Sequence, residues 1–71
     1  MKIENFILEG DYIELCSLLK LIGAVGTGGE AKIIITQGSV KVDGKVETRK
    51  RCKIRAGQRV QFESLEIIIN S

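Results

Sequence analysis

The spacing of apolar residues changes period along the chain, and each change marks an expected element. In residues 2–8, Ile3, Phe6, Ile7 and Leu8 predict a short first strand. Asp11 and Glu14 then form a capping-box pattern, in which a side-chain oxygen takes one free amide of a helix start and the glutamate reaches back to another. A helix is therefore expected from Tyr12. Tyr12, Leu15, Cys16, Leu18, Leu19 and Ile22 fall on one arc of it, with Glu14, Ser17 and Lys20 on the other side and Gly23 as its stop. Ile13 and Leu21 lie off the arc, so they either pack under a neighbouring element or form apolar surface. Thr27 and Glu30 repeat the cap signal ahead of AKIIITQG. The β-branched Ile33-Ile34-Ile35-Thr36 makes a strand a fair competitor there. The spacing of Ala31, Ile34, Ile35 and Gly38 favours a helix of about two turns, with Lys32, Ile33 and Thr36 facing outward.

From Ser39 the period becomes two. Asp43-Gly44 is a strong hairpin signal, with two possible registers. A two-residue turn sets Val42 opposite Lys45 and Val40 opposite Glu47. A three-residue loop sets Lys41 opposite Lys45 and Val40 opposite Val46, and is preferred because it keeps the apolar pair together on the core side. Cys52 and Ile54 then alternate with Arg51, Lys53 and Arg55, Ala56-Gly57 makes a turn, and Arg59 to Phe62 and Glu66 to Ile69 read as further strands joined near Glu63-Ser64. The expected order is β-α-α-β-β-β-β, an α+β chain.

A chain of 71 residues supports one domain, residues 1–71, with a compact core and little room for a deep substrate cleft. The start MKIENFILEG suits neither a signal peptide nor a membrane span, so a cytoplasmic protein is expected. Cys16 and Cys52 lie far apart and histidine is absent, which puts the usual zinc sets out of reach; both thiols read as small buried hydrophobes, with a disulfide as the alternative. No histidine also means no common general base, and the serines, threonines and carboxylates show no catalytic spacing, so no catalytic residue, metal or cofactor is expected. GAVGTGGEA satisfies a dinucleotide-binding glycine pattern, but a helix rather than a strand precedes it; the glycines read as a helix-to-helix turn.

Charge changes the picture. The formal net charge is only +2, yet Val40 to Val60 holds eight of the eleven basic residues against two acids, leaving a net negative remainder. In an extended path Arg49, Arg51, Lys53 and Arg55 would point the same way at intervals of about 6.6 Å, a spacing suited to a phosphate backbone. Phe6, Tyr12 and Phe62 are not interleaved with these bases, so phosphate and shape recognition of folded RNA fits better than base stacking.

These residues resemble a known family. TGGEAKIIITQGSVKVDGKV, from Thr27 to Val46, is similar to the core of the S-four RNA-binding domain, the αL module named after a small-subunit ribosomal protein. The pattern is a polar cap (Thr27), an Ala31-centred helix ending in Gln37-Gly38, then Val40, Val42, Asp43 and Gly44. With the LCSLLKLIGAV helix and the AGQRV turn the likeness covers about residues 12–62, and with VETRKRCKI the chain resembles the small stand-alone bacterial YbcJ-like branch. The resemblance implies two packed helices followed by a small, strongly bent, mostly antiparallel sheet. It also implies structured RNA, ribosomal or transfer, as partner of a monomer, with no DNA preference and no membrane. The implied contacts are Lys32 on the second helix, Lys41 and Lys45 around the hairpin, and Arg49, Lys50 and Arg51 after it, to which the stripe adds Lys53 and Arg55. Many members carry an arginine after the polar cap and more bases on the outer helix face; Gly28, Ile33 and Thr36 stand there instead, which shifts the expected contact toward the hairpin and the segment after it. The competing expectation is a protein-interaction adaptor that meets an acidic or ribosomal protein with the same basic face and with Ile13, Leu21 and Ile33.

Overall fold

The computed structural model describes residues 2–71. In chain order these form β1 (Lys2–Ile7), β2 (Ile13–Glu14), α1 (Leu15–Leu21), α2 (Gly28–Thr36), β3 (Val40–Val42), β4 (Lys45–Val46), β5 (Lys53–Ile54), β6 (Arg59–Phe62) and β7 (Leu65–Asn70). The α+β class is as expected, with two packed helices and a mostly antiparallel sheet. The element order holds two more strands than the sequence suggested: β2 ahead of the first helix, and a fifth strand after the second.

Five strands form one sheet in the order β1-β7-β6-β3-β4, while β2 and β5 form a separate two-stranded ribbon. The β1–β7 pair is parallel and the other pairs are antiparallel. Leu15, Leu18 and Leu19 of α1, Ala31 and Ile35 of α2, and Val40, Ile54, Val60, Ile67 and Ile69 of the strands are sealed from solvent in one continuous core. Both thiols are free; Cys16 is buried and Cys52 half-buried.

The second helix begins as its sequence predicts. Thr27 Oγ1 accepts from Glu30 N at 3.1 Å, and Glu30 Oε1 accepts from Gly26 N at 3.2 Å, one residue further back than a capping box usually reaches. The isoleucine run is helical because this cap starts a turn in which Ala31 and Ile35 meet the core; Ile33 and Thr36 face out, and Lys32 is half-buried. Gly38, at φ +79°, ends it.

The first helix does not begin at Tyr12, and the Asp11/Glu14 cap is not made: Glu14 is the N-cap residue and its side chain caps nothing. Residues 13–14 are instead drawn into strand pairing, Ile13 opposite Ile54 and Glu14 opposite Lys53. The pairing half-buries Ile13 against the core, whereas Leu21 is left 68% exposed.

The hairpin also departs from the preferred register. Lys41 stands opposite Val46 and Val42 opposite Lys45, so the turn has two residues. Asp43 and Gly44 have φ of +52° and +84°, the left-handed pair that a type I′ turn requires. Aspartate tolerates that conformation, and Asp43 is further held by Arg59 N at 3.0 Å and Gln58 Nε2 at 3.1 Å on its carboxylate. Pairing of Val40 with Val46 does not set the register, because Val46 is not a core residue; it is 55% exposed.

Candidate nucleic-acid interface

The basic segment is not a straight ribbon. Cys52 N donates to Arg49 O at 3.1 Å, closing a turn at Lys50-Arg51 that breaks the expected stripe of Arg49, Arg51, Lys53 and Arg55. The turn exists because its carbonyls have work elsewhere. Lys50 O accepts from Cys16 N at 3.1 Å and Cys52 O accepts from Leu15 N at 2.9 Å, so the loop supplies the acceptors that the first amides of α1 lack within their own helix. The cations are thereby fastened to the start of α1.

Inside the loop Glu47 grips Arg49. Oε2 accepts from Arg49 N at 3.0 Å and from Nε at 2.9 Å, while Oε1 accepts from Nη2 at 3.1 Å. These hydrogen bonds, the side-chain pair first and the backbone amide second, hold the Glu47 carboxyl down at about 2, and the same partner raises Arg49. Burial, reinforced by the Glu47 charge, pushes the Cys52 thiol up. Asp43 is lowered, chiefly by the Arg59 amide and then by Gln58.

The expected contact residues divide by position. An open cleft of about 420 Å³ is lined by Arg49, Arg51, Cys52 and Lys53. A second, of about 250 Å³, opens beside the two helix starts and brings Lys32 and Arg51 together with Lys20, Ser17, Glu14 and Gly28. Arg51 belongs to both clefts and joins them. Lys50 is exposed at the turn between Arg49 and Arg51. Lys41 does not join this group; it lines a separate recess with Ser39, Gln61 and Glu63. The two-residue turn also puts Lys41 and Lys45 on opposite faces of the hairpin, since cross-strand partners share a face and their partners are adjacent residues.

Two residues escaped the sequence reading as contacts. Lys20 was legible in principle, because Glu14, Ser17 and Lys20 share the polar side of α1. Tyr12 was masked by its place on the apolar arc. Tyr12 is 44% exposed, with Lys53 Nζ at 4.9 Å and Arg55 Cζ at 5.9 Å from its ring centroid, so an aromatic does stand among the bases. Among the described residues the ion pairs are Lys2–Glu4 and Arg49–Glu47, which leaves Lys20, Lys32, Arg51, Lys53 and Arg55 without a carboxylate partner. Nor do three His, Cys, Asp or Glu side chains among them converge as a metal site would need.

The frame of two helices and a hairpin is that of a known module: the S4 domain family model matches residues 6–70, and the chain belongs to that family. Among its relatives is the Escherichia coli K12 protein named "Putative RNA-binding protein YbcJ", 65% identical over 51 residues that span 72% of this chain and 73% of that one. A Shigella flexneri protein, "Uncharacterized protein YbcJ", matches to the same extent. The solution structure of E. coli YbcJ, described as revealing an αL motif involved in RNA-binding, superposes with a TM-score of 0.76 at 49% identity, covering 100% of this chain and 91% of that one.

Proposed function

We propose that the chain is a non-enzymatic module that docks structured RNA, ribosomal or transfer RNA, by its phosphates. The observation that carries this reading is the set of unpaired cations around two adjoining clefts: Lys20, Lys32 and Arg51 beside the helix starts, and Arg51 and Lys53 beside the loop. Lys50 and Arg55 extend the surface, Lys41 and Lys45 supply separate contacts on the two faces of the hairpin, and Arg49 is committed in large part to Glu47. Cations held this way on ordered backbone meet phosphate without first leaving a carboxylate, and each phosphate neutralised releases counterions.

With about five phosphates engaged, log affinity for a structured RNA falls against log salt with a slope of about −3.5 to −4.5. Lys32→Glu/Arg51→Glu, still folded by circular dichroism, shrinks that slope to about −2 and weakens binding, whereas Lys2→Glu, on the distant β1 edge, leaves both unchanged. A wild-type slope near zero defeats the mechanism. The adaptor reading has the exposure of Leu21 and Ile33 in its favour and the half-buried Ile13 against it. It predicts a pull-down that survives ribonuclease.

A further inference from the structure

The pairing of β2 with β5 does more than reposition the first helix. With Ile13 opposite Ile54 and both turned to the core, the outward positions of this ribbon are Tyr12 and Glu14 on one strand and Lys53 and Arg55 on the other. Continuing the register by one residue sets Tyr12 beside Arg55, and the ring carries both cations, at 4.9 and 5.9 Å. Arg55 is steadied from two sides: its Nη1 reaches Asp11 O at 3.5 Å, and its amide donates to Gln58 Oε1 at 2.7 Å. On its other border Tyr12 lines a groove of about 220 Å³ with Phe6, Ile7, Leu8, Ile13 and Leu21, apolar except for Glu9. A half-exposed tyrosine, a largely apolar groove and two cations without carboxylate partners thus meet at one place outside the helix–hairpin frame.

Each component answers a different part of one ligand. A nucleobase offers a flat π-face for the ring and the groove, and its phosphates offer charge for Lys53 and Arg55. A paired base cannot present that face, because its neighbours in the helix cover it. Resting on the RNA-binding reading above, we propose that Tyr12 is the platform for one unpaired nucleotide of the bound RNA, its base stacked on the ring over the Phe6–Leu21 groove and its phosphate held by Lys53 and Arg55. The module then recognises a bulge or loop beside a duplex, with the clefts at the helix starts reading the backbone and Tyr12 reading the extruded base. An apolar side chain of a protein would fill the same groove but would leave Lys53 and Arg55 unanswered, which decides for the nucleotide.

The test compares three RNA hairpins: fully paired, with one bulged nucleotide, and with an abasic residue at the bulge. Wild type is expected to prefer the bulged hairpin by about tenfold over the other two. Tyr12→Phe keeps that preference, while Tyr12→Leu binds all three alike, with its salt slope unchanged. Because the chain holds one tyrosine and no tryptophan, the ring protons of Tyr12 are a clean probe. Stacking moves them upfield in NMR spectra with the bulged RNA and not with the abasic one. The same bulge preference in Tyr12→Leu as in wild type, or unmoved ring protons, overturns the proposal while leaving phosphate docking intact. Efficient displacement of the RNA by free AMP overturns it in favour of a mononucleotide site. No binding of any hairpin by wild type overturns the RNA reading itself.

Discussion

The two helices start in opposite ways. α2 is capped by residues at its own doorstep, Thr27 and Glu30, three positions apart. α1 is capped from more than thirty residues away, by the carbonyls of Lys50 and Cys52. A local cap forms as soon as its turn forms, so α2 carries its own start signal. A remote cap forms only when the tertiary structure does, and it works in both directions: the loop completes the helix and the helix fixes the loop. The basic residues sit on the remote cap, so the surface proposed to meet RNA is held by backbone bonds rather than by the flexible side chains it must leave free.

The largest test of this contrast is Ile54→Ala. Ile54 is sealed in the core at the centre of the β2–β5 ribbon, and its truncation is expected to cost about 2–5 kcal/mol in urea unfolding. Hydrogen exchange at Leu15 and Cys16 should accelerate more than exchange within α2. Equal acceleration in both helices would mean that the remote cap is not a separate dependency. Next in size is Thr27→Ala, expected to remove about 1 kcal/mol and to loosen the first turn of α2, with the Leu15 and Cys16 amides as well protected as before.

The smallest effect is titration of the fork inside the loop. Glu47 is held at about 2 in the folded chain against an ordinary value of 4.5. A lowered carboxyl stabilises the fold above its unfolded value, and that contribution drains away as pH falls from about 4.5 toward 2. Glu47→Gln should therefore lose less than about 1 kcal/mol at pH 7, because the Arg49 half of the pair is open to solvent and screened there, and should flatten the acid limb of the stability curve. Some acid sensitivity remains, since Asp43 is shifted in the same direction. An acid limb as steep in Glu47→Gln as in wild type would show that the fork contributes nothing to folding.

How much of this was legible in the sequence follows the same division. Thr27-Glu30, Gly23, Gly38 and Asp43-Gly44 mark local structure with local chemistry, and each lies where the pattern put it. Asp11-Glu14 carries the same spacing as Thr27-Glu30, yet the cap is not made. Nothing within residues 11–14 announces that Ile13 will pair with Ile54 instead, because that preference is written in a strand some forty residues on. The hairpin register was missed for a related reason: Val46 was given a core role on its hydrophobicity, and its exposure is decided by β4 lying at the edge of the sheet. At the site, the concentration of charge was plain from composition. The turn at Lys50-Arg51, the arrival of Lys20 beside Lys32 and Arg51, and the place of Tyr12 between Lys53 and Arg55 all depend on contacts across the fold.

The parallel pair of β1 with β7 bears on the order in which the molecule can be made. The backbone of Lys2 to Ile7 pairs along Leu65 to Asn70, with Lys2 N donating to Ser64 O, some sixty residues further along the chain. At roughly 5–20 residues per second of synthesis, β1 has emerged for several seconds before β7 exists. Ile3 and Ile7 meanwhile have no sheet to lie beside, and even in the finished fold they remain 55% and 63% exposed on an edge strand. Of these strands β1 is translated before the others yet paired last, and the late arrival of β7 completes the sheet.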